Sequence, residues 1–261
     1  MKSCVAAVLL LFSVICVAQA PPGLPPSNAQ AYPAFEADLA WRGLAAGYIR
    51  KAQREQTLDK DPALNARVDA LMIAVGEAVA AIDPRFARSV WKAILIDDFG
   101  HGAAAFPGEI ILIDAKFVRR LKLNDDELAL ILCHEAAHVV AGHALAKLSF
   151  MAEFLGKEKV PTARTALIEF LAKDDYATAY QPQARRQERE ADQLGAAIFF
   201  TTGYDARRAL GVFDKLAAIW TREDRLSPDA HEAPEARKTN ISTVFADLQQ
   251  MHAGRSAEPR Q

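Results

Sequence analysis

The sequence predicts an α+β fold that is mostly α-helical, with a small β-sheet and one buried helix at its centre. Three observations predict it. Apolar residues recur at helical spacing early and late in the chain, as at Leu64, Val68, Leu71 and Val75. Between Trp91 and Ile113 the pattern changes to short apolar runs, WKAILI and EIILI, divided by turn residues. The stretch NDDELALILCHEAAHVVAGH, Asn124 to His143, then reads as a helix with few polar breaks that nonetheless carries His134, Glu135 and His138.

The chain has 261 residues, 51% hydrophobic and 25% charged, which suits a single domain with a sizeable core. A formal charge of −2 argues against a nucleic-acid partner, which calls for a basic excess or stripe. Residues 1–20 read as a signal peptide: Lys2, an apolar run from Val5 to Val17, and Ala18-Gln19-Ala20 as cleavage site. The run is short for a membrane span, so no integral membrane segment is expected after signal removal, and the protein is expected in the bacterial periplasm or secreted. Cys4 and Cys16 leave with that segment. Cys133 remains as a packing residue with no disulfide partner.

Residues 21–34 are a Pro-rich leader, and a single domain is expected over residues 35–250. Helices fill the stretch to Ile82, restarting at Asp61-Pro62 and ending at Asp83-Pro84. Trp91 to Ile96, Ala103 to Phe106 and Glu109 to Ile113 are strand candidates, the last two joined by a tight turn at Pro107-Gly108. Ala115 to Leu121 reads as a short helix. Asn124 then supplies an N-cap, with Glu127 placed for a capping box and Leu123 and Leu128 for a hydrophobic staple. Leu145 to Tyr180 reads as two helices forming a hairpin or lid, Gln183 to Phe200 as a helix, and Ala206 to Trp220 as another after the break at Gly203-Tyr204-Asp205. A polar loop to Pro234, a helix to Gln250 and a disordered tail over residues 251–261 complete the chain.

The chemistry concentrates in His134-Glu135-Ala136-Ala137-His138. Residues four apart on a helix share a face, so both imidazoles reach one metal ion, and Glu135 is placed to take a proton from water. Zinc in a catalytic site commonly takes three protein ligands. His143 is out of step for the metzincin pattern, which needs Gly at 141 and His at 144, and on a continuous helix it lies about 140° around the axis from His138. It reads as a helix-end or surface histidine. Glu188 and Asp192, four apart in EREAD, are the better candidates. One of these carboxylates can bind the metal while the other orients a ligand imidazole. Taken alone, RRQERE would read as a solvated, salt-bridged face, with Glu190 toward solvent.

Taken together, Pro107-Gly108 before an apolar strand, DDELALILCHEAAH, EREAD, Gly203-Tyr204-Asp205, and His231 with Arg237 six residues on resemble the M48 zinc metallopeptidases. These are gluzincins with a zincin-like fold, and their members include quality-control proteases of bacterial envelopes. The resemblance runs roughly from Ala93 to Ile241. It implies one zinc ion per chain, Glu188 as third ligand beside His134 and His138, Asp192 behind a zinc histidine, and His231 and Arg237 near the site as oxyanion stabilisers. The chain departs from the family pattern at Gly102, Glu109 and Glu232, where Asn, Gly and Pro are usual.

The expected function is a zinc metalloendopeptidase with Glu135 as general base, acting on misfolded or misassembled envelope proteins. Ala103, Ala104, Ala105 and Phe106 would hold an extended polypeptide by strand addition. The competing reading is a chaperone-like peptide binder whose zinc site stays closed. Peripheral attachment to a membrane or envelope complex is compatible with either. A purely structural zinc site fits poorly, since such sites close with four ligands that usually include Cys, and Cys133 points about 100° away from His134.

Overall fold

The computed structural model describes residues 31–172, 174–219 and 232–256. The signal peptide, nearly all of the leader, the loop carrying His231 and residues 257–261 lie outside the described residues. The helices α1 (Ala34–Glu55) and α2 (Pro62–Ile82) come first, the latter capped by the Asp61 side chain on the amides of Ala63 and Leu64. Strands β1 (Lys92–Ile96), β2 (Ala103–Phe106) and β3 (Ile110–Asp114) follow, then the short α3 (Ala115–Arg120). The strand order is β1-β3-β2, with β1 parallel and β2 antiparallel to β3. Pro107, Gly108 and Glu109 make the β2–β3 turn, and the positive φ of 88° at Gly108 is one a glycine adopts without strain.

Alternation along the strands divides the interior in two. Leu95, Ile111 and Ile113 point into a core shared with α2 and the central helix α4 (Asp125–Val140). Ile96, Leu112 and Phe106 point the other way, into a second core closed by α1, α5 (His143–Leu155) and α6 (Ala163–Ala172). The segment read as a hairpin or lid is therefore a wall of this second core: Leu148, Met151, Val160 and Ala163 are fully buried in it. Tyr32, at the end of the leader, belongs there too, its hydroxyl donating to the Val160 carbonyl at 2.5 Å.

Three boundaries differ from expectation. The helix expected from Gln183 begins at Asp174 and runs unbroken to Thr202 as α7, with Pro182 inside it. Burial of Tyr180, whose hydroxyl donates to Gln187 Oε1 at 2.6 Å, ties the turns on either side of the proline together. The stretch after Gly203 is two helices, α8 (Ala206–Ala209) and α9 (Gly211–Ile219). The last helix, α10 (Pro234–Ser256), continues six residues past the expected end at Gln250.

The start of α4 is over-determined. Asn124 accepts from the Glu127 amide at 3.0 Å, and the Glu127 carboxylate accepts from the Asn124 amide at 2.7 Å, the full capping box. Glu127, almost completely buried, also receives Lys215 Nζ of α9 at 2.6 Å. Asp126 accepts the Asp205 amide at 2.9 Å and pairs with Arg208, so the Gly203-Tyr204-Asp205 turn docks on the same helix end. Replacing Asn124 with Ala is expected to cost about 1 kcal/mol, read as a lower chemical-denaturation midpoint at unchanged slope. An unchanged midpoint would show that the cap contributes nothing to α4.

Candidate metal centre

The centre forms where α4 crosses α7, and a glycine sets how closely they approach. A Cβ on Gly195 would lie 2.8 Å from His134 Cα and 3.0 Å from His134 N. Without it, the face of α7 bearing Glu188, Asp192 and Gly195 rests directly on the α4 backbone. That contact brings the two halves of the site together across a chain separation of more than fifty residues.

His134 Nε2 and His138 Nε2 lie 3.1 Å apart, and the Glu188 carboxylate faces both, Oε2 at 3.3 Å from the first and Oε1 at 3.4 Å from the second. A tetrahedral centre with ligand bonds of about 2.0–2.1 Å has ligand–ligand edges of about 3.3–3.4 Å. One donor atom from each of the three side chains lies within 4.8 Å of the other two, close enough for all three to reach one small cation. This trio is the group of His, Cys, Asp and Glu side chains among the described residues with metal-binding geometry. Burial disfavours charge on His134, yet its hydrogen bonds to the Asp192 and Glu188 carboxylates outweigh it and raise its pKa to about 10. Burial, and next the charge on His134, hold His138 well below its usual value.

Behind His134 the support is dense. Its Nδ1 is 2.9 Å from Asp192 Oδ1, which leaves Nε2 with its lone pair toward the trio. Arg237 of α10 grips Asp192 twice, Nη2 to Oδ1 at 2.7 Å and Nε to Oδ2 at 2.9 Å. Burial would raise the Asp192 carboxyl, but the His134 hydrogen bond and the Arg237 charge keep it well below the usual carboxylate range. Arg237 is therefore at the site, as expected: it holds Asp192 through Nε and Nη2 and lines the cavity that Glu135 also lines. His231 lies outside the described residues.

Glu135 lines a cavity of about 320 Å³ whose apolar wall includes Leu130, Ile131, Val212, Phe213 and Leu216. Ala103 of β2 lines the same cavity, and Ala105 lines a second one beside His138 and Gly142. Strand β2 runs between the two at the edge of the sheet, with no strand on its outer side among the described residues. Of the four residues expected to hold substrate, Phe106 presents only its main chain. Its ring is buried against Trp41 and Tyr48. Cys133 is fully buried and burial pushes its thiol up, in line with a packing role.

One residue was placed differently: His143, read as a helix-end or surface histidine, does open α5 but is buried. His143 is 6% exposed, and its ring packs on His138, so it is no surface histidine. Glu190 is solvent-facing as expected, but reaches His143 with one oxygen. The error came from treating Asn124 to His143 as one helix. The chain breaks at Gly142, with φ of 70°, and α5 restarts at an angle of 49° to α4. Gly195, the glycine on which the crossing depends, was passed over. Its spacing of seven from Glu188 was the available signal.

Two imidazoles and a carboxylate that could hold a metal ion thus lie together, with a glutamate adjacent to the first imidazole. The comparisons agree: residues 62–252 match the description Peptidase family M48. The chain belongs to peptidase family M48. It is 25% identical over 206 residues to a Vibrio cholerae protein named "Putative beta-barrel assembly-enhancing protease", covering 74% of this chain and 41% of that one. It is 27% identical over 135 residues to the mitochondrial metalloendopeptidase OMA1 of Arabidopsis thaliana, covering 49% of this chain and 26% of that one. In both cases the match spans less than half of the relative's length.

Gly195→Ala tests the helix crossing. The added methyl forces α4 and α7 apart, so stability is expected to fall by about 1–3 kcal/mol and metal affinity to fall with it. Wild-type stability together with wild-type metal affinity in a titration would contradict the close contact.

Proposed function

We propose that this protein is a zinc metalloendopeptidase of the cell envelope that cleaves misfolded or misassembled proteins bound in extended form. The observation that carries the reading is the convergence of His134, His138 and Glu188, with one donor atom from each within 4.8 Å of the others, beside Glu135, which lines an apolar cavity. Zinc suits this donor set of two imidazoles and one carboxylate, and when bound it supplies a Lewis acid that acidifies water and polarises a carbonyl. His134, His138 and Glu188 hold the ion. Asp192, itself fixed by Arg237, keeps the His134 proton on Nδ1 and its lone pair on Nε2.

The rest of the reaction belongs to the chain's own groups. Glu135 removes a proton from the attacking water and returns it to the departing amine, so one carboxylate serves as base and then as acid. Strand β2 adds the substrate as a further strand through main-chain hydrogen bonds of Ala103 to Phe106. That mode reads backbone rather than side chains, and it selects segments that are unfolded. The cavity beside Glu135 accepts one apolar side chain next to the cleaved bond and excludes water from it. Such a preference favours chains whose hydrophobic residues are exposed. The name of the Vibrio relative supports an envelope setting and substrates connected with β-barrel assembly. No single helix among the described residues is long and apolar enough to cross a membrane.

Glu135→Gln is the direct test. The variant is expected to bind one zinc per chain like the wild type, while cleavage of an unfolded substrate such as casein falls by about 10²–10⁴-fold. Cleavage at the wild-type rate would remove Glu135 from its role, and a chaperone-like binder would show no cleavage in either protein.

A further inference from the structure

We propose that His143, backed by Glu190, is a positioning residue that fixes the ring of His138 for metal binding. The proposal rests on His134, His138 and Glu188 being the metal ligands. His143 Nδ1 lies 2.9 Å from His138 Nδ1, and His143 Nε2 lies 3.3 Å from Glu190 Oε2. Two ring nitrogens at that distance need one donor and one acceptor between them. With the His138 lone pair directed from Nε2 toward the trio, its proton sits on Nδ1. His143 must then accept at Nδ1 and carry its own proton on Nε2, facing the Glu190 carboxylate. The order Glu190–His143–His138 leaves each contact with a donor and an acceptor.

The arrangement parallels the other ligand. On His134 the Nδ1 position is held by Asp192; on His138 the same position is held by a second imidazole, which passes the influence of a carboxylate one ring further. Sequence position does not force this. On an unbroken helix His143 would face away from His138, and the left-handed residue Gly142 is what turns it back. A Cβ at Gly142 would meet nothing within 4 Å, so the glycine answers to backbone conformation and not to crowding. Nor does His143 cap its own helix: the N-cap of α5 is Gly142 and no side chain bonds there. The buried ring is spent on His138.

The test is zinc affinity, measured by competition with a chromophoric chelator on the full chain, together with the visible absorption of the Co²⁺-loaded protein. His143→Leu keeps the volume and removes the acceptor, so zinc affinity is expected to fall about 10–100-fold, with a shifted Co²⁺ spectrum. His143→Asn places a carbonyl oxygen near the Nδ1 position and is expected to restore most of the affinity and the spectrum. Glu190→Ala, an exposed carboxylate at the far end, is expected to have a smaller effect in the same direction. Unchanged affinity in His143→Leu overturns the proposal, as does an equal loss in the Leu and Asn variants, which would mark His143 as structural only. Glu188→Ala separates this from the ligand set: loss of zinc there with no effect in His143→Leu sinks only the positioning role. Retained zinc in Glu188→Ala sinks the ligand set beneath it.

Discussion

The site depends on two helices touching backbone to backbone. Three metal-type donors and the supporting carboxylate of Asp192 cannot gather in an apolar interior unless each is satisfied, because an unpaired buried charge is costly. Direct contact at Gly195 brings Glu188 and Asp192 within reach of His134 in one step. A larger residue there would hold both carboxylates away from the rings. The capping box, the Lys215–Glu127 pair and the Asp205–Asp126 bond then fix the near end of α4, so its register against α7 is set from outside the site.

The sheet and the two cores orient this crossing toward solvent. Strand β3 is buried on both faces, and β2 lies at the margin beside α4, where its outer edge borders the metal centre. A strand placed there to finish a sheet is also placed to start one with a substrate. In the proposed reaction, the cavities lined by Ala103 and Glu135 and by Ala105 and His138 flank the path of an extended substrate. Fold and proposed reaction therefore share one element.

Much of this was legible from residue order. Asp61, Asn124 and Asp205 announce helix starts because capping is local, and the β2–β3 hairpin follows from Pro107-Gly108 for the same reason. His134 and His138 follow from helical spacing. Glu188 and Asp192 were legible as a pair from their spacing, but their separate roles came only from the resemblance, since RRQERE has the composition of an exposed face and burial of its inner side comes from packing against α4. Pro182 and the tail of α10 misled because local propensity favours a break where tertiary contacts sustain the helix. His143 misled most: one left-handed residue at 142 changes which side of the chain its ring occupies, and no periodicity reveals that.

The central claim, that α4 and α7 together hold one metal ion, is tested most directly by locating the ion. Crystals of the purified protein grown with zinc, with data collected on both sides of the zinc absorption edge, should show a single strong anomalous peak per chain. The account predicts that peak at bonding distance, about 2.0–2.2 Å, from His134 Nε2, His138 Nε2 and a Glu188 oxygen, with His143 out of contact. A peak ligated by His143, or no peak between the two helices, would contradict it.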